Sequence, residues 1–124
     1  MRVVVDVHGD DDAVARLHSW LWDRPGLAAV EISRGRGEVG PGDLGAAEVL
    51  MFMASDVMLP LILNALYDFF RDRRRSRPSE RPRLVITRTD LPDGVRRVEL
   101  EFEGPAETVV DLARRALEAP GQSA

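Results

Sequence analysis

LGAAEVLMFMASDVMLPLILNALYDFF, residues 44–70, is the longest apolar stretch of the chain and sets how the other segments must be arranged. Asn64 and Asp68 begin a narrow polar stripe in it, with the spacing of one face of a helix. Pro60 interrupts the stretch and disfavours helical geometry at the residue before it. An unbroken helix that also included the following arginines would be about 45 Å long, too long for so small a domain. We therefore predict either two helices or one bent helix.

Shorter patterned segments flank this stretch on both sides. Alternation of apolar and polar residues predicts strands, and apolar residues three or four apart predict helices. The turn signal Asp93-Gly94 joins the last two predicted strands into a hairpin. In chain order, the predicted elements are a strand over residues 2–8, a helix that ends near Trp22, a strand over 28–33, the apolar helical stretch, strands over 84–89 and 95–103, and a last helix from Pro105 that buries Val109, Leu112, Ala113 and Leu117.

The order of these elements, β-α-β-α(α)-β-β-α, predicts the fold class. Because a helix buries its apolar stripe against another element, the helices should cover one side of a sheet. We expect an α+β protein, a two-layer sandwich with a sheet of about four strands. Its long apolar central helix would be bent or broken at Pro60. The predicted domain covers residues 1–119, and residues 120–124 form a short C-terminal tail.

The composition excludes several classes of protein. The chain has 124 residues, 17 of them basic and 21 acidic, and a net charge of -4. Without any cysteine it forms no disulfide, thiolate nucleophile or zinc–thiolate site. The acidic balance argues against a nucleic-acid-binding protein. No recognised catalytic motif and no signal peptide are present, so we expect a cytoplasmic protein that is not an enzyme and has no cofactor or metal.

A glycine-rich segment, residues 34–45, contains a match to G-x-G-x-x-G that starts at Gly35. Arg34 and Arg36 would help such a loop to hold a phosphate group. We favour a flexible connector, because no second strand ends in an acidic residue about 20 positions later. A phosphate- or nucleotide-binding regulator stays open as an alternative, with Arg34, Gly35, Arg36 and Gly37 as its residues.

Three further candidate anion-binding residues, Arg71, Arg73 and Arg74, follow the apolar stretch directly. Arginines after an apolar segment are also typical of a membrane boundary. A membrane-active component that inserts or docks through residues 44–75 is therefore a second alternative. We do not favour it, because Asp56 would oppose insertion by about 2.5–3.5 kcal/mol and a crossing would separate the predicted strands.

The surplus of apolar residues predicts a surface for binding protein. One helix of this length covers the sheet, so a second has to bury its apolar face elsewhere. Trp22 lies off the apolar stripe of the first helix, and exposed tryptophan is typical of interfaces. The candidate interface residues are Trp22, Met51, Phe52, Met58, Phe69 and Phe70.

Several short motifs carry a family resemblance. RLHSWLWDRPGL (residues 16–27) resembles the tryptophan–leucine helix and proline stop of the effector-associated constant component family. GDLG (residues 42–45) is similar to the element that opens the apolar helices of that family. The run of aromatics and arginines at 67–75, the Asp93-Gly94 hairpin and the closing helix follow in the same order.

The resemblance implies a small accessory protein of bacterial conflict systems. Such proteins are encoded beside variable effectors, often peptidases, and the family brings no known catalytic residues. We therefore expect a non-catalytic adaptor that contacts an effector protein, with a homo-oligomer as a further expectation.

Overall fold

A computed structural model describes residues 1–8, 12–36, 48–76, 83–91, 94–100 and 104–118. These residues form five strands, three α-helices and two short 3-10 turns. In chain order the elements are β1 (Arg2–His8), α1 (Ala13–Trp22), a 3-10 turn (Pro25–Leu27), β2 (Glu31–Arg36), β3 (Glu48–Met53), a second 3-10 turn (Asp56–Met58), α2 (Leu59–Ser76), β4 (Arg83–Leu91), β5 (Gly94–Leu100) and α3 (Ala106–Leu117).

The five strands form one antiparallel sheet in the order β2-β3-β1-β4-β5. β1 therefore lies in the middle, where Val5 pairs with Leu50 of β3 and with Ile86 of β4. The hairpin of β4 and β5 confirms the predicted one, and Leu84 pairs there with Leu100. Phe102, which was expected to extend its second strand, lies outside the described residues.

Alternate residues of the strands face the helices and form the core with them. This face of the sheet contributes side chains with no exposure at all, among them Val3 and Val5 of β1 and Phe52 of β3. The α+β class and the packing of helices on one side of a sheet are therefore as predicted. The fully buried core residues include Val3, Val5, Leu17, Leu50, Phe52, Ile62, Leu84, Ile86, Ala113 and Leu117.

The opposite side of the sheet, which we call the open face, carries the other set of alternate residues. By the strand register these residues include Arg2, Val4, Asp6, Gly35, Val49, Met51, Met53, Val85 and Thr87. Its valines and methionines do not belong to the core cluster that the described helices share with the sheet. The open face is thus a second apolar region, separate from the core.

The apolar stretch 44–70 differs from the prediction of two helices or one bent helix. Among the described residues of this stretch, Glu48–Met53 form β3 and the α-helical part begins at Leu59. Pro60 is the second residue of α2, where its missing N–H removes no helical hydrogen bond, so it causes no bend in mid-helix. β3 is apolar on both faces and lacks the alternation that identifies a strand, which is why its sequence also fits a helix.

Three smaller corrections concern the sheet and the last helix. With β3 the sheet has five strands instead of about four. β2 extends to Arg36, beyond the predicted end at residue 33, and pairs with β3 along its whole length. In α3, Val109, Ala113 and Leu117 are buried as expected, whereas Leu112 is 59% exposed because it lies to one side of the buried stripe.

Candidate interaction site

Trp22, the last residue of α1, projects from the helical layer into solvent. It is 73% exposed, although the preceding Leu21 is fully buried in the core. Its indole ring meets His18 edge-on, with ring centroids 5.9 Å apart and planes at 73°. Most of the ring therefore remains available, and a tryptophan in this state is typical of a residue that binds another protein.

The turn that follows α1 is fixed to α2 by Arg24. The guanidinium carbon of Arg24 lies 3.9 Å from the centroid of the Trp20 ring, a cation–π contact. The Nη2 atom of Arg24 also donates a hydrogen bond to Oδ2 of Asp68 on α2, at 3.0 Å. Leu27, at the end of the turn, is buried in the core. The backbone beside Trp22 is thus held in place from both sides.

Two open cavities flank this turn. One has a volume of about 310 Å³ and lies between Trp22 and the start of β2, where Val30 and Ile32 line it. The other has a volume of about 450 Å³ and lies between the turn and α2, with Leu61 and Asp68 in its wall. Leu61 is 49% exposed. We call the region formed by Trp22, Asp23, Leu61, Asn64 and Asp68 the Trp22 surface.

The other candidate interface residues lie elsewhere. Phe52, Phe69 and Phe70 are in the core of this chain, with 0%, 8% and 2% exposure. Met58 is partly buried against the same core. Met51 is partly buried on the open face of the sheet. The structure therefore does not gather the six residues into one patch, and Trp22 is the one that meets solvent on the helical side.

The candidate anion-binding arginines lie on two different elements. Arg34 and Arg36 are strand residues of β2, not residues of a loop, and Nη2 of Arg34 lies 2.5 Å from Oε1 of Glu48 on β3. This ion pair engages the guanidinium group that the phosphate-binding alternative would need. Gly35 is likewise part of β2, whereas Gly37 lies outside the described residues.

The remaining three candidates, Arg71, Arg73 and Arg74, lie in the C-terminal half of α2. Arg71 is exposed, and its guanidinium carbon is 5.9 Å from the centroid of the Tyr67 ring. Cations at this end of a helix interact favourably with the partial negative charge of its last carbonyl groups.

A polar network around Arg88 was not predicted from the sequence. Arg88 is only 4% exposed and faces the helices, on the same side of β4 as Leu84 and Ile86. Its guanidinium group donates hydrogen bonds to Oδ1 of Asp90 at 2.9 Å, to Oδ1 of Asp56 at 3.0 Å and to the carbonyl oxygen of Leu117 at 3.1 Å. Arg88 lies two residues after Ile86 in β4, so the alternation of this strand places its side chain inward. This alternation is the sequence signal that could have identified the buried cation.

The charge of Arg88 changes the acidity of its neighbour. Burial raises the pKa of the Asp90 carboxyl, but hydrogen bonds from the Arg88 side chain and the Arg2 backbone, together with the positive charge of Arg88, outweigh this effect. The net result is a pKa of Asp90 below its ordinary value. The network therefore joins β4, α3 and the turn before α2 through ionised groups, as a structural connection.

The described residues contain neither a cluster of metal-binding side chains nor a membrane-spanning helix. Within the ranges that the structure describes, no three histidine, aspartate or glutamate side chains are grouped as a metal site requires. Among the described helices, none has both the length and the apolar character needed to cross a membrane.

Comparison with known proteins gives one match. No curated protein and no solved structure matches the chain. The model of the family described as Effector Associated Constant Component 1 matches residues 6–117, which include the described parts of all five strands and all three helices apart from the first residues of β1. The chain therefore belongs to the Effector Associated Constant Component 1 family.

Proposed function

We propose that this chain is a non-catalytic adaptor of a bacterial conflict system that binds an effector protein through the Trp22 surface. Membership of an effector-associated family supports an accessory role. The observation that carries the proposal is the 73% exposure of Trp22 in the wall of one cavity, with a second cavity on the other side of the same turn. Exposed tryptophan is enriched among the residues that contribute most to protein–protein binding.

The chemistry of the Trp22 surface indicates what it binds. Its cavities have apolar walls, to which Leu21 and Leu27 contribute. Asp23 brings a carboxylate to the rim of both cavities, beside the ion pair of Arg24 and Asp68. This combination fits an effector segment that inserts an apolar side chain and places a basic side chain beside it.

The pairing of charged groups supports a non-catalytic role. Arg88 binds two carboxylates, Arg24 binds Asp68, and Arg34 binds Glu48. Groups that bind one another in this way stabilise the fold instead of offering a free acid, base or nucleophile to a substrate.

The test is the affinity between the purified chain and the effector encoded beside it, measured by isothermal titration calorimetry. Trp22→Ala and Leu61→Glu should each raise Kd at least about 30-fold, because they remove an anchor or bury a charge at the centre of the contact. Circular dichroism and thermal unfolding should show that both variants stay folded, since the two side chains are largely in solvent.

Met53→Glu is the matched control for Leu61→Glu. Met53 is 48% exposed and Leu61 is 49% exposed, but Met53 lies on the open face of the sheet. The control should bind the effector with the Kd of the unmodified chain. The proposal is overturned if the unmodified chain does not bind that effector, or if Trp22→Ala and Leu61→Glu bind it as tightly as the control does.

A further inference from the structure

The open face of the sheet has an apolar centre that the core does not use. Val4, Met51 and Val85 are partly buried there, yet none of them packs against the core cluster. Val49 is only 3% exposed and also stands outside that cluster. An apolar centre on the side of an antiparallel sheet that is turned away from the described helices departs from the usual polar outer face, and it indicates a surface for another molecule.

Gly35 shows how the apolar side chains of the open face are arranged. A Cβ atom at Gly35 would lie 3.3 Å from Cε of Met51 and 4.0 Å from Cγ2 of Val49. The methionine therefore lies across the glycine of the neighbouring strand, beside the valine. This flattens the apolar centre, since the long side chain lies along the sheet instead of projecting from it.

Opposite charges stand on either side of this centre, on the middle strand. On the open face of β1, Arg2 precedes Val4 by two residues and Asp6 follows it by two. Oδ2 of Asp6 is 3.3 Å from Nε2 of His8, whereas Oδ1 of Asp6 has no hydrogen-bond partner among the described residues. This oxygen is buried and lacks a donor among the described residues, while the Asp6 side chain as a whole is 30% exposed.

We propose that the open face binds a second copy of this chain, with the two sheets face to face. The twofold axis runs across the strands and passes over Val4, so the two β1 strands are antiparallel. Val4 and Met51 then each meet the same residue of the second copy, and Arg2 of each copy lies over Asp6 of the other. The charge pattern of β1 is self-complementary in this arrangement, which forms two equivalent ion pairs around an apolar centre.

The size of the open face is sufficient for a reversible dimer. Five strands spaced about 4.8 Å apart and seven residues of about 3.4 Å each give a surface of roughly 500 Å² per copy. The two copies would therefore bury roughly 1,000 Å², which is the lower limit for a specific interface. We expect a dissociation constant of the order of 1–100 μM. This contact is separate from the Trp22 surface, so it does not depend on the proposed function.

The test is sedimentation equilibrium of the full chain at concentrations up to about 0.1 mM, where an interface of this size is populated. The unmodified chain should form a dimer. Arg2→Glu and Asp6→Arg should each raise the dimer Kd at least about tenfold, because each brings like charges together twice across the axis. The double variant, Arg2→Glu with Asp6→Arg, should restore the dimer, since it reverses both members of each pair.

A second pair of variants covers the case in which a charge reversal disturbs the fold. Met53→Glu should weaken the dimer at least about tenfold, whereas Leu61→Glu, at a site of equal exposure on the helical side, should leave it unchanged. The proposal is overturned by a monomer at every concentration, by a dimer that Leu61→Glu weakens and Met53→Glu does not, or by a folded double variant that dimerises no better than the two single ones.

Discussion

Neighbouring residues of β3 meet two different environments. Phe52 has no exposed surface and lies in the core, whereas Met53, the next residue, is 48% exposed on the open face. Both side chains are large and apolar, so composition alone does not distinguish them. The difference shows that one strand supplies two apolar surfaces, of which the described helices cover one and do not cover the other.

The charged residues of the sheet repeat this contrast. Arg88 faces the helices and binds two carboxylates and a carbonyl oxygen. Arg97, on β5, pairs with Thr87 in the register and is exposed on the open face. The same residue type therefore serves a buried network on one face and remains in solvent on the other. Substitutions on the side that faces the helices should therefore lower the free energy of unfolding. Substitutions on the open face should change it little and should instead change the dimer Kd.

The largest effect is expected for Phe52→Ala. Removal of a fully buried phenylalanine leaves a cavity and should lower the free energy of unfolding by about 3–5 kcal/mol. Met53→Ala, on the next residue, should lower it by less than about 1 kcal/mol. Urea denaturation followed by circular dichroism measures both, at one dilute protein concentration so that dimer formation does not contribute. Equal losses in the two variants would contradict the division between the faces.

A somewhat smaller loss is expected for Arg88→Met. Methionine fills much of the space but leaves Asp56 and Asp90 without their cation and Leu117 without a hydrogen-bond donor. The free energy of unfolding should fall by about 3 kcal/mol, the low end for a broken buried ion pair, because both carboxylates keep some contact with water. Arg97→Met is the matched control and should change it by less than about 0.5 kcal/mol.

The pH dependence of the Arg88→Met effect follows from the lowered pKa of Asp90. An acid whose pKa is lower in the folded state stabilises the fold above its ordinary pKa, and this contribution disappears as the pH falls through the lowered value. The variant lacks Arg88 and much of this contribution. Denaturation curves of the two proteins should therefore converge as the pH is lowered, and a difference that widens in acid would rule out this account.

The parts of the fold that could be predicted are those with a clear period. Apolar residues recur at every second position on one face of β1 and at the end of β5, and α1 and α3 place apolar residues three or four apart, so the existence and type of these elements agree with the structure. β3 has apolar residues on both faces and therefore shows no period. It lies between β2 and β1, with one face against the helices and the other on the open face. Leu112 shows the remaining uncertainty, since the width of a buried helical stripe depends on packing partners that the sequence does not specify.

The candidate site could be predicted only in part for a related reason. Trp22 was identified because it lies off the stripe of a helix that was itself predicted correctly. The cavity wall at Leu61 depends on how the turn at Arg24 docks on α2, a contact between residues 44 positions apart. The ion pair between Arg34 and Glu48 was not foreseen, because Glu48 belongs to the strand that was taken for a helix.

The smallest effect is expected for Gly35→Ala, on the open face. The new Cβ would lie 3.3 Å from Cε of Met51, the far end of a flexible side chain, which can shift by a few tenths of an ångström. The free energy of unfolding should change by less than about 1 kcal/mol, because Gly35 lies in a strand and its φ angle is not among the positive ones. The control is Gly94→Ala, where φ is +122° and alanine is strained, so a loss of about 1 kcal/mol or more is expected.

Gly35→Ala also distinguishes the open face from the Trp22 surface, and it tests the phosphate-binding alternative. A displaced Met51 changes the apolar centre of the open face, so the dimer Kd should change a few-fold while the affinity for the effector stays the same. A phosphate loop would need glycine at this position, and in that case Gly35→Ala would abolish any thermal stabilisation by inorganic phosphate or ATP. We expect neither ligand to stabilise the unmodified chain, because Arg34 is already paired with Glu48 and Gly35 is held in a sheet. Stabilisation that the alanine removes would instead place an anion site at β2 and support the phosphate-binding alternative.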